Sequence, residues 1–378
     1  MKLSCTQENL SRGLGIVGRA VATRSPLPVT SNVLLATDDA RLKLAATNLD
    51  IAITCWVQAK VEEDGATTVP ARLLGEFVSS LPNERVDMKL NERQRSLNLK
   101  CGPFEANVKG IDADEFPPIP PVGSEAPIVL EPKAFHDAIE QVAFAAATDD
   151  SRPVLAGVSM SFDGDRLTLA AADGFRLAVR EMTLPEPVGD RIDIIVPARA
   201  MTELARVMSE DDETLRINVT PNRSQVLFSL PNVQLVSRLI EGTFPNYRQI
   251  IPAKHTTRVV VSTKEFLGAT KIASFFARDS ANIVRLQATP GEQLAPGKLT
   301  VAATAAEVGD TVGGIDAAIE GDEAQIAFNA KYLTDVLSVL DENQVALEVT
   351  SPSSPGVVRP SGNDNGYTHV IMPMHVAR

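Results

Sequence analysis

Few residues in this chain could perform chemistry, and they are widely separated along the sequence. Only four histidines occur, at His136, His255, His369 and His375. His136 stands beside Asp137 on a predicted helix, a pair that resembles part of a catalytic dyad. No nucleophile or metal ligand accompanies the pair at a spacing typical of a catalytic or metal site, so we interpret His136 as a surface histidine.

The cysteines and the acidic residues do not indicate a metal site either. Cys5, Cys55 and Cys101 are odd in number and far apart, and no C-x-x-C or H-x-x-x-H spacing occurs. This pattern indicates buried free thiols in a reducing compartment. The acidic run at 210–213 could suggest a cation site, but we interpret it as a solvated loop between a helix and a strand.

Motifs that hold nucleotides or activate a serine are also missing from the sequence. It contains no G-x-x-x-x-G-K-[ST], no G-x-G-x-x-G after a strand and no G-x-S-x-G. We therefore predict a protein that is not an enzyme and that uses neither a metal nor a cofactor.

The elements around these residues form an internal repeat. Each copy of a first pattern has a short apolar strand, then Pro-Ala-Arg or Asn-Ala-Lys, then an amphipathic helix. The copies are TTVPARLLGEFVSSL (67–81), IIVPARAMTELARVM (194–208) and IAFNAKYLTDVLSVL (326–340). Pro70 and Pro197 occupy a favoured helix-start position, and Asn329 is a good N-cap.

A second pattern repeats in the same register. A strand, a polar break and a helix of about four turns are predicted at 2–24, 128–150 and 259–281. An alternating strand pair follows each of them, at 32–54, 158–179 and, with a longer turn, 286–308.

Two proline-containing stretches, 115–127 and 244–257, read as extended linkers between the copies. They predict three similar domains at 1–122, 123–252 and 253–378. The fold class is α+β, with three tandem copies of two helices packed on antiparallel sheets.

Charge is unevenly distributed among the predicted elements. The six predicted helices carry eleven Lys and Arg against seven Asp and Glu, a net +4, which leaves −16 for the rest of a chain whose total is −12. A positive helix face would attract phosphates weakly, and an acidic exterior would repel nucleic acid. The candidates are Arg12, Arg19, Arg24, Arg72, Lys133, Arg199, Arg206, Lys264, Lys271, Arg278 and Lys331. For any single residue, a solvated helix face remains an equal interpretation.

The helix count makes a ring feasible. A head-to-tail homodimer would carry twelve helices, and side-by-side packing at ~8–10 Å gives an opening of roughly 20–28 Å. That width would accept a hydrated DNA duplex.

The chain resembles the bacterial DNA polymerase III β subunit family, the sliding clamps, over nearly its whole length. The resemblance is carried by TTVPAR (67–72), ADGFRLAV (172–179), FPNYRQIIP (244–252), NAKYLTDVL (329–337) and VIMPM (370–374). It implies a homodimeric ring of six similar domains, strand edges that pair across the subunit boundary, and duplex DNA enclosed without sequence specificity. Such a processivity factor has no catalysis of its own.

The resemblance also implies a pocket for short linear motifs of the polymerase III α subunit, the clamp loader and other DNA-processing proteins. Its residues here would be Leu155, Ala172, Gly174, Phe175, Arg176, Leu177, Pro245, Val370, Ile371, Met372, Pro373 and Met374, with Asn329, Tyr332, Ser353 and Pro355 at the rim. Methionines suit a groove that accepts several partners. A last core strand is the alternative for Met372 and Met374.

Some positions depart from the family pattern. Phe175 stands where His or another polar residue is common, Gln249 replaces a basic residue, and the tail from His375 is altered. For DNA contact, the resemblance favours Arg24 after the first helix and, more weakly, Arg152.

No apolar run reaches the ~20 residues of a membrane span, and the first residues lack a signal-peptide core. We expect a cytoplasmic, nucleoid-associated protein without membrane contact. Two rival classes stay open. A hydrolase or transferase would show a deep polar cleft with perturbed carboxylates. A scaffold that binds only proteins would show buried or negative helices and no ring.

Overall fold

The computed structural model describes residues 1–24, 26–119, 127–149, 151–209, 211–292, 296–362 and 366–375. Within these residues the α-helices are α1 (Gln7–Val17), α2 (Ala71–Ser79), α3 (Pro132–Val142), α4 (Ala198–Val207), α5 (Thr263–Ala277) and α6 (Ala330–Ser338). Each predicted helix is thus present, and each follows a strand directly or after one residue.

Side-chain caps begin several of these helices. The Thr6 hydroxyl accepts a hydrogen bond from the Asn9 N–H at 3.3 Å. The Asn329 Oδ1 accepts one from the Lys331 N–H at 2.9 Å, as predicted for an N-cap. Pro70 is the last residue of a strand and the N-cap of α2, so the missing N–H of proline costs the helix no hydrogen bond.

Two helices are shorter than predicted. The first was expected to reach residue 24, but α1 ends at Val17 and a 3-10 turn covers Gly18–Ala20; glycines in this stretch weaken the helix. The third ends at Val142, where φ is −117°, and a 3-10 turn covers Ala143–Ala145. The stretch 244–257 also contains a 3-10 turn, Tyr247–Gln249, so it is not wholly extended.

The strands fall into three groups along the chain. The first group is β1 (Lys2–Thr6), β2 (Asn32–Asp38), β3 (Arg41–Thr47), β4 (Ile51–Gln58), β5 (Lys60–Glu63), β6 (Ala66–Pro70), β7 (Arg85–Asn91), β8 (Ser96–Cys101) and β9 (Phe104–Lys109). The second is β10 (Ile128–Leu130), β11 (Gly157–Asp163), β12 (Arg166–Ala172), β13 (Arg176–Thr183), β14 (Ile192–Pro197), β15 (Leu215–Val219), β16 (Gln225–Ser229) and β17 (Val233–Arg238). The third is β18 (Thr257–Ser262), β19 (Ile283–Thr289), β20 (Gly297–Ala305), β21 (Gly309–Gly321), β22 (Ala324–Asn329), β23 (Gln344–Val349), β24 (Gly356–Pro360) and β25 (Tyr367–Ile371).

These strands form antiparallel sheets of five, eight and twelve strands. The predicted hairpins are present: β2 pairs with β3, and β11 pairs with β12. Asp39 and Ala40 turn the first hairpin with φ of 45° and 59°, which are the positive values that a tight type I′ turn requires.

One strand order occurs twice. The eight-stranded sheet runs β10-β15-β16-β17-β4-β3-β2-β6, and eight strands of the larger sheet run β18-β23-β24-β25-β13-β12-β11-β14. In each, four strands of one repeat continue the sheet of the preceding repeat. The junctions are β17 with β4 and β25 with β13.

The chain forms two compact units. Unit 1 contains residues 1–134 and 203–239, and unit 2 contains residues 135–202 and 240–378. The middle repeat contributes to both, because its strands divide between the two sheets. The domain boundaries at 122 and 252 stay a prediction.

The three cysteines are buried and free, as predicted. Burial raises the pKa of Cys5 to about 12 and that of Cys55 to about 11. Both thiols are therefore protonated and unreactive near neutral pH. Across the described ranges, no cluster of His, Cys, Asp and Glu could hold a metal ion. No helix in that part of the chain is long and apolar enough to cross a membrane.

Candidate functional site

The predicted pocket residues centre on one strand junction of unit 2. Strand β13 runs antiparallel to β25, with Leu177 opposite Val370 and Arg176 opposite Ile371. Because successive side chains of a strand point to opposite faces, this junction presents two chemically different surfaces.

The first surface, the apolar face, is a cluster of buried aliphatic side chains from four neighbouring strands. Its members are Ala170, Leu177, Val179, Val357 and Val370, with Ala172, Phe244, Tyr247 and Ile251 packed against them. Leu177 and Val370 therefore lie together, as expected for a pocket floor.

Segment 244–251 packs side chains on this face that the sequence did not assign to the predicted pocket. Only Pro245 was predicted there, although Phe244 and Tyr247 pack on the apolar face with their rings 6.1 Å apart. Burial raises the pKa of the Tyr247 phenol. The 3- and 4-residue spacing of Phe244, Tyr247 and Ile251 was the signal that could have identified them.

The second surface is organised by Arg176, whose side chain is only 7% exposed. Its guanidinium lies 3.0 Å from the Asp173 carboxylate and 2.6 Å from that of Asp335 on α6, and it donates to the Phe144 carbonyl at 2.7 Å. The Tyr332 ring lies 4.6 Å from the same group, a cation–π contact. Arg176 thus joins β13 to α6, and this role accounts for its burial without a bound partner.

A buried histidine lies on this second surface. His369 is fully buried, with its ring stacked 5.5 Å from that of Phe144 and its Nδ1 3.4 Å from the Tyr367 hydroxyl. Burial, together with the charge of Arg176, lowers the pKa of His369 to about 3. The imidazole is therefore neutral at physiological pH.

The rim of the predicted pocket is accessible. Phe175 is 58% exposed and Met372 is 38% exposed, and the Met372 N–H donates to the Phe175 carbonyl at 2.8 Å. Strand β25 ends at Ile371, so Met372 and Met374 lie beyond the last core strand. Of the other predicted residues, Gly174, Pro245 and Ser353 are exposed, and Leu155, Ala172, Asn329, Tyr332, Pro355, Pro373 and Met374 are half-buried. The tail residues 376–378 lie outside the described residues.

A glycine turn carries Phe175 at the edge of this rim. Gly174 has φ of +94°, as expected for a backbone bend, and the Asp173 carboxylate accepts the Phe175 N–H at 2.8 Å. A Cβ at Gly174 would lie 2.8 Å from the guanidinium of Arg152. Arg152, the weaker of the two DNA-contact candidates that the resemblance gave, therefore lies beside this turn.

The basic residues predicted to face DNA are all exposed. Several of them also contact carboxylates: Arg19 and Arg206 with Glu203, Arg72 with Glu76, Arg152 with Asp149, and Lys331 with Asp335. Arg24 has no carboxylate within 4 Å among the described residues. Apart from the pairs with Glu203, whose side chain is only 12% exposed, such exposed pairs contribute little to stability and leave the cations accessible to phosphates.

His136 and the acidic run, the two other candidates that the sequence offered, lie at the surface. His136 Nδ1 lies 3.3 Å from the Asp137 carboxylate and its Nε2 lies 3.9 Å from that of Glu140. In the acidic run, Asp211 and Asp212 lie in the loop between α4 and β15, and Glu210 lies outside the described residues.

Repeated pairs of helices on antiparallel sheets, with a buried apolar cluster at a strand junction, define the class of DNA clamps. Comparisons with known proteins give the family. Family models for the DNA polymerase III beta subunit match its N-terminal domain to residues 1–120, its central domain to 129–246 and its C-terminal domain to 248–375. The chain belongs to the DNA polymerase III beta subunit family, the beta sliding clamps, which are non-catalytic processivity factors.

Individual relatives match this chain over their full length. The beta sliding clamp of Synechococcus elongatus is 34% identical, with 100% of both chains covered. The DNA polymerase sliding clamp from Bacillus subtilis matches in structure with a TM-score of 0.92 at 29% identity, again over 100% of both chains. The beta subunit from Streptococcus pyogenes matches with a TM-score of 0.92 at 25% identity and the same coverage.

Proposed function

We propose that two copies of this chain close head to tail into a ring that encircles duplex DNA and tethers a polymerase through the pocket at β13 and β25. The observation that carries the proposal is the repeated strand order. Three repeats offer three places for this strand order. Two of them are filled within one chain, and the third can be filled only by a second copy of the chain.

The missing junction can be identified from the other two. In unit 1, β17 pairs with β4, and in unit 2, β25 pairs with β13. In the first repeat, the strand equivalent to β17 and β25 is β9, which within the described residues pairs only with β8. In the third repeat, the strand equivalent to β4 and β13 is the first part of β21, residues 309–316, which pairs only with β20.

Exposed apolar side chains accompany both open edges. Phe104 on β9 is 52% exposed, and Val312 on β21 is 68% exposed. Ile272 and Phe275 on α5 are 57% and 61% exposed. Because helix α5 packs on β20 and β21, a second copy whose β9 extends β21 would also cover apolar surface on α5. Head-to-tail pairing repeated twice closes a ring.

The DNA would pass along the helices. Exposed cations on these helices and just beyond their ends, Arg24 above all, attract phosphates weakly, while the rest of the chain is strongly acidic. Enclosure makes tight contacts unnecessary, so the ring would slide along a duplex of any sequence.

The pocket would hold linear motifs of the polymerase III α subunit, the clamp loader and other DNA-processing proteins. Phe175, Met372 and Pro245 offer apolar surface above the buried floor of Leu177 and Val370. Tethering raises the local concentration of the bound enzyme at the DNA. The chain has no nucleotide-binding loop, so ring opening requires an ATP-driven partner. The proposal places the protein in the cytoplasm at the nucleoid.

The experiment measures solution mass and retention on DNA after loading by a clamp loader. We expect a dimer of two 40.5 kDa chains that remains on circular DNA and leaves once the circle is cut. A monomer, or equal retention on both forms of DNA, would refute the ring.

A further inference from the structure

A cavity in unit 1 occupies the place that the predicted motif pocket occupies in unit 2. It has a volume of about 200 Å³ and lies where β4 meets β17. We propose that this cavity is a second peptide site, which takes an extended segment carrying a leucine-sized side chain beside a carboxylate. Its peptide nature rests on the proposed function of the first pocket.

The strand register establishes the equivalence. Ala52 lies opposite Val236 across β4 and β17, as Leu177 lies opposite Val370 across β13 and β25. Both members of the first pair line the cavity, and both members of the second pair form the floor of the motif pocket.

The segment that closes each site is also repeated. A Phe-Pro dipeptide begins both segments, so Pro117, which lines the cavity, corresponds to Pro245. Ile119 packs against the buried side chains of Ala52, Leu227 and Val236, in the way that Tyr247 packs on the apolar face of unit 2.

A main-chain hydrogen bond is repeated at the mouth of each site. The Arg238 N–H donates to the Asp50 carbonyl at 2.9 Å, and the Met372 N–H donates to the Phe175 carbonyl at 2.8 Å. Arg238 therefore stands in the position of Met372, and Asp50 stands in that of Phe175.

The residue before Asp50 has the same backbone conformation as the residue before Phe175. Leu49 lines the cavity with φ of +79°, where Gly174 has φ of +94°. A leucine in this uncommon conformation keeps the turn of the motif pocket and adds an apolar side chain, 45% exposed, at the mouth.

Arg238 and Asp50, which stand where the motif pocket has Met372 and Phe175, determine which ligand the cavity accepts. The Arg238 side chain is exposed, and among the described residues no carboxylate lies within 4 Å of it. A guanidinium beside the aliphatic part of the lining, formed by Ala52, Ile119 and Val236, selects a carboxylate next to an aliphatic group. The Asp50 carboxylate also lines the cavity, where it can accept a hydrogen bond from a peptide N–H. Because a cavity of about 150 Å³ already accepts benzene, the volume suits one such side chain.

The test uses the full chain and two fluorescein-labelled pentapeptides, Ser-Asp-Leu-Leu-Gly and its counterpart Ser-Asn-Leu-Leu-Gly, with binding followed by fluorescence anisotropy. We expect the Asp peptide to bind the wild-type chain about tenfold more tightly than the Asn peptide, because a charge-assisted hydrogen bond is lost with Asn. Arg238→Gln should remove this preference.

Two further variants identify the site. Arg93→Gln changes an exposed arginine in the Glu92–Gln94 turn, away from the cavity, and should leave the preference intact. Met372→Ala changes the motif pocket and should also leave it intact. Loss of binding in Met372→Ala but not in Arg238→Gln would overturn the second site while leaving the proposed function in place. Absence of binding of both peptides to the wild-type chain would overturn it as well. If the wild-type chain showed no preference for circular DNA in the retention experiment, that result would refute the ring alone.

Discussion

Arg176 on strand β13 and Asp335 on helix α6 form an ion pair of 2.6 Å, and it links the strand that carries Leu177 to the helix that carries Tyr332. The arginine side chain is 7% exposed and that of Asp335 is 25% exposed. The pair therefore connects elements from two successive repeats at the junction where the motif pocket is proposed.

Removal of this arginine should destabilise unit 2. Arg176→Met leaves Asp173 without its arginine and leaves Asp335 with Lys331 as its remaining cation. Because both carboxylates lie in a poorly solvated place, the free energy of unfolding should fall by about 3 kcal/mol. Urea unfolding measures the change. Arg72→Met is the control, because Arg72 pairs with Glu76 at 91% exposure and should change stability by under about 1 kcal/mol. Equal effects of the two substitutions would contradict the structural role of Arg176.

Met372→Ala should abolish polymerase stimulation and leave DNA enclosure unchanged, because the side chain lies at the pocket rim and outside the core. A truncation for the same purpose has to begin after Ile371, since Val370 and Ile371 are 1% and 0% exposed. Primer-extension length and retention on circular DNA measure the two properties. A variant that loses retention on circles would argue against separate roles for pocket and ring.

Phe104→Asp should shift the chain from dimer to monomer. The substitution places a charge on the open edge of β9, where the proposed partner copy would bury it, and the dimer dissociation constant should rise at least about tenfold. Sedimentation over a concentration series measures it. Leu27→Asp, in the connection between α1 and β2 and 45% exposed, is the control at neither open edge and should remain dimeric. A dimer of unchanged affinity in the Phe104 variant would place the interface elsewhere.

His369 should make unit 2 less stable in acid. Above pH 6.5 the residue is neutral in both the folded and the unfolded chain. Between pH 6.5 and about 3 the unfolded chain binds a proton that the buried imidazole does not, so the free energy of unfolding falls as pH falls. The fall from pH 7 to pH 5 should be about 2 kcal/mol larger in the wild type than in His369→Phe. Urea unfolding at both pH values measures the difference. Identical pH dependence of the wild type and His369→Phe would refute this role of His369.

Arg24→Glu should weaken DNA contact and loading while the dimer stays intact. The side chain is exposed, so its reversal repels phosphates at no cost to the fold, and the slope of log affinity against log salt should fall by about 1. Arg93→Glu on the β7–β8 connection provides the same charge change as a control. Loading indistinguishable from the wild type would remove Arg24 from the DNA surface.

The sequence by itself determined the local elements and their repetition. Helix starts at Pro70, Pro197 and Asn329, and the hairpins at 32–54 and 158–179, follow from capping, turn and periodicity rules that act over a few residues. The predicted ends of two helices were wrong, because glycines and 3-10 turns end α1 and α3 before the apolar pattern ends.

Only the tertiary structure decided which repeats share a sheet. The pairing of β17 with β4 joins residues about 180 positions apart, and the pattern of each strand alone contains no information on its partner. Register then decides which side chains share a face. That is why Leu177 and Val370 meet on the apolar face, Arg176 turns toward Asp335, and Arg238 takes the place of Met372 in a cavity that no local motif predicted.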